Sequence, residues 1–155
     1  MENPHGTFQL SAIIPAPREA VYAFFSDPNH TRELQPYVKS VTILREEIED
    51  EIRTIHFTSL EYVPMLGGLW KQKNAIEAQW ILTQPPHRME ATAYSKPGVR
   101  LHLRYAFAPT PEGNTHMTLE VRWQAPRVFR GIVPREAAKA QQGVLDRLRD
   151  HFSNG

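Results

Sequence analysis

Cysteine is absent from the 155-residue chain. Its absence excludes disulfides, thiolate nucleophiles, cysteine-ligated zinc and iron–sulfur clusters. No apolar run approaches the roughly 18 residues of a membrane-spanning helix. Residues 1–7 hold no basic segment followed by an apolar stretch, so no secretion signal is expected, and the expected location is cytoplasmic. A charge excess is missing too: 18 basic residues stand against 17 acidic ones. No strong overall field invites a nucleic acid, and no nucleic-acid partner is expected. The seven histidines, at 5, 30, 56, 87, 102, 116 and 151, show no i, i+3 or i, i+4 pairing on a helix and no His-x-His on a strand. Neither a metal site nor a cofactor is expected from them. Nucleophile-elbow, P-loop and dinucleotide-binding glycine motifs are missing, so no catalytic residue is assigned.

What is present is a chain of one-domain size, read as a single domain over 1–155, with 41% apolar residues. Thirteen prolines punctuate it, which predicts short elements with sharp corners. Residues 8–14 alternate as a strand that Pro15 ends. Helical spacing follows over 18–26, and Asn29 is placed to cap a second short helix ending before Pro36. Period-two segments then run over 38–48 and 52–62, around the turn Glu49-Asp50, and over 70–83, 87–94, 99–107 and 117–123. The last two are the clearest: Leu101, Leu103, Tyr105 and Phe107 alternate with Arg100, His102 and Arg104, while Leu119, Val121 and Trp123 alternate with Glu120 and Arg122. His102 and His56 are expected to face solvent. A helix from about Pro134 to Phe152 places Ala137, Gln141, Val144, Leu145, Leu148 and Phe152 on one side.

The order β-α-α-β-β-β-β-β-β-α predicts an α+β domain. One long helix covers one face of a curved, seven-stranded antiparallel sheet, and the other face stays wet. A curved sheet under a single helix leaves a space that side chains either fill or leave as a ligand cavity.

Candidate ligand-binding residues come from that inner stripe. Ile76, Trp80, Leu103 and Leu145 supply apolar wall. Ser59, Asn74, Tyr105 and Gln141 are polar interruptions of it, each with a structural hydrogen bond as the alternative role. The connections 62–70 and 128–133 are unusually apolar, and Met65, Trp70 and Phe129 within them are candidates for the rim. The alternatives for these segments are plain core packing, or transient contact with a membrane or a protein. From Arg122 to His151 seven basic residues meet three acidic ones, which suits an anionic head group, a lipid surface or a solvated helix face.

The segment Ala16-Pro17-Arg18-Glu19-Ala20-Val21-Tyr22, between the first strand and the first helix, resembles the opening of the START-related polyketide cyclase/dehydrase superfamily (SRPBCC, the helix-grip fold). Trp80 to Glu90 and Tyr105 to Val121 are similar to that family's middle and penultimate strands. Leu34-Gln35-Pro36-Tyr37-Val38 is similar to its ubiquinone-binding branch. The resemblance covers essentially the whole chain. It implies a carrier or binder of a hydrophobic or amphipathic small molecule: a lipid, quinone or polyketide-like compound. It also leaves open a cyclase or dehydratase using Tyr105, Tyr94 or a histidine near the cavity mouth as acid/base. A protein-interaction module is the third possibility.

Overall fold

The structure is a computed structural model that describes residues 3–65 and 70–153, with the side chains of 63–65 and 70–72 outside the description. Strand β1 (His5–Ile14) leads into α1 (Arg18–Phe25), a 3-10 turn (Pro28–His30) and α2 (Thr31–Leu34). Six strands follow: β2 (Val38–Glu49), β3 (Ile52–Met65), β4 (Trp70–Gln84), β5 (Arg88–Ser95), β6 (Val99–Pro109) and β7 (Thr115–Gln124). A second 3-10 turn (Arg127–Phe129) precedes α3 (Val133–Ser153). The seven strands form one sheet in the order β1-β7-β6-β5-β4-β3-β2, and every neighbouring pair is antiparallel. This is the helix-grip fold expected from the sequence.

Register sets the inner face in rows. Phe8, Val121, Leu103, Ala91, Trp80 and Ile55 lie opposite one another across six strands. One row toward the closed end stand Leu10, Leu119, Tyr105 and Met89. One row the other way stand Gly6, Trp123, Leu101, Ala93, Ala78 and Phe57. A Cβ on Gly6 would lie 2.9 Å from the Trp123 indole nitrogen, so a larger residue there would have to push the ring aside.

Helix α1 seals the closed end. Its Val21, Tyr22 and Phe25 are buried, and the Tyr22 hydroxyl donates to the Arg88 carbonyl at 3.0 Å. Phe25 meets Tyr105 and Trp80 with ring centroids 4.8 and 6.0 Å apart. Helix α3 packs closely against β1 and α2. It buries Val144, Leu145 and Leu148 and ties to α2 through Arg147 Nη1 donating to the Leu34 carbonyl at 3.1 Å. Burial of the side expected for α3 follows from its i, i+3, i+4 spacing.

Four details differ from the sequence reading. Asp27, not Asn29, does the capping: its carboxylate accepts the Asn29 N–H at 3.0 Å, because Pro28 opens a 3-10 turn one step earlier. Second, β3 runs to Met65 and pairs with β4 as far as Met65–Trp70, so 62–65 and Trp70 are strand and not loop. Pro64 is tolerated because β2 stops pairing at Glu61, leaving an edge where a missing donor breaks no ladder bond. Third, the β2–β3 turn uses Asp50 and Glu51, both left-handed at φ 52° and 67°. It is a type I′ turn made without glycine. Fourth, the inward-facing residues are not equally deep: Leu103, Tyr105, Leu119, Val121, Leu145 and Leu148 are sealed, but Ile76, Trp80 and Leu101 are only half-buried.

Candidate functional site

That difference in depth outlines the site. At the closed end Met89, Phe107, Met117 and Leu119 have lost nearly all contact with water. Toward the other end, where β5 stops and β6 starts, Ile76, Ala78, Ala93, Leu101 and Trp123 are all half-exposed although they occupy inner positions. Ala78 and Ala93 face each other there. Two methyl groups fill little of the space on that face, so this row is packed less fully than the rows at the closed end. Trp80 stands at the boundary, edge-on to Phe57 at 5.1 Å.

Polar side chains gather in the same open rows. Ser59 lies opposite Ile76, and Glu61 opposite Asn74, all at inner positions. Asn74 stands across the ladder from Glu61, with its amide toward the carboxyl. Burial pushes the Glu61 carboxyl upward, and the facing amide pulls it part of the way back. Gln141 is half-buried on the side of α3 that carries Val144, Leu145 and Leu148, one turn nearer the open end, beside half-buried Ala137 and Ala138. Tyr105 lies deeper. Burial raises its hydroxyl far above the usual phenol range, so the group stays protonated. Burial also pushes Tyr22 up to about 12.

Of the expected site residues, Ser59, Asn74, Ile76, Trp80, Leu103 and Tyr105 therefore share the inner face of the sheet. Leu145 and Gln141 share the facing side of α3. Phe129 is half-buried in the 3-10 turn after β7, at the open end. Met65 and Trp70 pair through their backbones at that end too, but their side chains lie outside the described residues. Residues 66–69 lie outside the description altogether. In 128–133, Val128 and Ile132 are 76% and 47% exposed, so this segment is not buried core.

Tyr94 is misplaced in the sequence reading. It sits on the outer face, with the Arg100 guanidinium 4.7 Å from its ring centre, because the inner positions of β5 belong to Met89, Ala91 and Ala93. No histidine occupies an inner strand position among the described residues. His102 lies outside beside Glu90 at 3.5 Å, and His30 and His151 sandwich Phe24, each at 4.0 Å. Among the described residues no group of three or more His, Asp or Glu side chains is placed to hold a metal ion. Glu61 was missed, yet Phe57, Ser59 and Glu61 continue one period-two stripe.

Two hollows of about 870 and 940 Å³ lie on the outer face. The first is lined by Arg104 with its partners Glu90 and Glu120, the second by Glu77, Tyr94, Arg100, His102 and Arg122 together with Ala78, Ala93 and Leu101. The inner face brings apolar side chains and a few polar ones together, the mixture that small-molecule sites use.

A sequence profile described as polyketide cyclase/dehydrase and lipid transport matches residues 5–153. The chain belongs to this family. Solved structures similar to this polyketide cyclase/dehydrase-family chain include a START superfamily protein from Mycobacterium smegmatis, with a TM-score of 0.77 at 12% identity over 97% of this chain and 99% of that one. The Zhui aromatase/cyclase of a Streptomyces species gives 0.75 at 12% identity over 97% and 94%. A Thermus thermophilus protein gives 0.69 at 18% identity over 96% and 98%. At such identities the likeness concerns the fold. No functionally curated protein sequence matches the chain. Among the described residues no helix is long and apolar enough to cross a membrane.

Proposed function

We propose that the protein binds a hydrophobic or amphipathic small molecule, of lipid, quinone or polyketide-like kind, between the concave sheet and α3. One observation carries this reading. Ile76, Ala78, Ala93 and Leu101 hold inner positions on three adjacent strands and are still half-exposed. An apolar surface left partly wet inside a fold gains free energy when an apolar ligand covers it, at about 25 cal/mol per Å². The segment 128–133 fits the rim of such a space. Exposed Val128 lies between Arg127 and Arg130, suited to a passing contact with a lipid surface or a donor protein.

A second reading, a cyclase or dehydratase acting on a polyketide-like substrate, has one observation in its favour. Tyr105 presents a protonated hydroxyl at the inner face and has no hydrogen-bond partner among the described residues. It would serve as a proton donor, not as a base.

Solvent extraction of the purified protein followed by mass spectrometry tests the first reading, together with a thermal-shift screen of fatty alcohols, quinones and aromatic polyketides. A ligand at about 100 times its Kd raises stability by roughly 2.7 kcal/mol. An empty extract with no shift for any class refutes ligand binding. Turnover abolished by Tyr105→Phe with binding retained establishes the enzyme instead.

A further inference from the structure

The binding reading leaves the Glu61–Asn74 pair without a role. Glu61 is at an inner position two residues beyond buried Ser59. It is also the last residue of β3 to pair with β2, opposite buried Val38. The backbone there is fixed from both sides, by Asn74 across β4 and by the Tyr62 N–H donating to the Tyr37 carbonyl at 2.9 Å. Among the described residues no cationic nitrogen comes within ion-pairing distance of its carboxylate. Lys73, its near neighbour in the ladder, is exposed on the opposite face. A carboxyl half-withdrawn from water and faced by a single amide keeps lone pairs free. The neutral side chains around it, Ser59, Asn74, Ile76 and Val38, give it no compensating charge.

We propose that the Glu61 carboxylate, oriented by Asn74, receives the hydrogen-bond-donating head of an otherwise apolar ligand, a hydroxyl, phenol or ammonium group, and that the site thereby rejects anionic heads. This rests on the ligand-binding reading above. A donor head restores what burial takes from the carboxylate, and a charge-assisted bond is about twice as strong as a neutral one. A carboxylate, sulfonate or phosphate head would meet a like charge in poorly hydrated surroundings.

Two matched probe series test this by isothermal titration calorimetry on the full chain. One is 2-naphthol, 2-methoxynaphthalene and naphthalene-2-sulfonate; the other is decanol, decyl methyl ether and decane-1-sulfonate. In the wild type the alcohol or phenol binds at least about tenfold tighter than the sulfonate, with the ether between them, the tenfold step corresponding to 1.4 kcal/mol. Glu61→Gln keeps the shape and the partner for Asn74 but removes the charge, and the gap closes to within about threefold as the sulfonate gains and the donor head loses. Equal wild-type affinities for donor and sulfonate overturn this inference while leaving ligand binding intact. A wild-type gap that persists unchanged in Glu61→Gln overturns the role of Glu61. Binding of no probe in either series overturns the ligand-binding reading and this inference with it. The wild-type comparison decides the first and last of these outcomes without the variant.

Discussion

Ala93→Leu separates a hollow from a filled core at a single position. Ala93 lies on the inner face between Ala78 and Leu101, is half-exposed, and is not packed into the main apolar cluster. Leucine adds three carbons. If they enter open space, each fully covered methylene contributes about 0.8 kcal/mol, an upper bound of roughly 2.4 kcal/mol. Ordering the longer side chain and the exposure that remains reduce this, to an expected gain of about 1 kcal/mol. For a chain of this size that raises Tm by roughly 2–4 °C. If the site were instead packed to crystal density, the same carbons would force neighbours apart at a cost of about 1–3 kcal/mol. The two cases differ in sign, so thermal and urea unfolding of ligand-free protein suffice. The gain should come with a loss of ligand affinity of about tenfold or more, because the added side chain occupies the ligand's place. A destabilised Ala93→Leu protein, with no loss of binding, would falsify the hollow.

The other perturbations act on single groups. Leu103→Ala, at a sealed position, should lower unfolding free energy by about 2–5 kcal/mol in urea denaturation; a loss below about 1 kcal/mol would mean its side chain is not core. Glu51→Gly should stabilise by about 0.5–1 kcal/mol, because Glu51 is held at φ 67°, where glycine alone has no Cβ penalty; a loss of stability would show that the turn depends on the Glu51 side chain. Gln141→Leu should leave ligand-free stability level or raised while weakening binding by about 0.5–1.5 kcal/mol; a stability loss of about 1–3 kcal/mol would assign the amide to a structural bond. Glu61→Gln should stabilise the ligand-free protein at neutral pH. Its carboxyl is raised on folding, so the folded state favours the protonated form; that preference is fully present below the ordinary carboxyl range and is lost as pH rises through the raised value. The advantage of glutamine should therefore vanish as pH falls, and a constant advantage from pH 4 to 8 would refute the shift.

The sheet was legible because alternation in β6 and β7 is nearly perfect, and a period of two assigns every side chain to a face. Depth along a face is another matter. Nothing in the alternation distinguishes Leu101, half-exposed, from Leu103, sealed two residues on. That contrast is created by α1 and α3 covering one end of the sheet and leaving the other. Tyr94 does not serve as the cavity acid/base it was a candidate for, because the inner positions of β5 go to small Ala91 and Ala93 and leave Tyr94 outside. Glu61 escaped notice because an acid near a strand end normally reads as solvated. Only the continuation of the Phe57–Ser59 stripe marks it as inward. The capping role of Asp27 turned on where a 3-10 turn begins, a choice of one residue that composition does not resolve.

The uneven burial of the inner face also explains where its polar groups can sit. A hydroxyl, amide or carboxyl stripped of water without a partner costs several kcal/mol. In the sealed rows of Met89, Leu119 and Leu103 such a cost would be unrelieved, and those rows are apolar apart from the Tyr105 hydroxyl. Ser59, Glu61, Asn74 and Gln141 instead occupy rows that keep some exposure, where water can satisfy them until a ligand arrives. A ligand that covers Ala78, Ala93 and Leu101 must displace part of that water. A purely apolar molecule would leave the polar groups unpaired, and the desolvation penalty would offset much of the gain from covering the wall. A molecule with one donor-bearing end gains the apolar contact and also replaces the lost hydrogen bonds. On the proposed binding reading, the open end should therefore favour amphipathic ligands over wholly apolar ones.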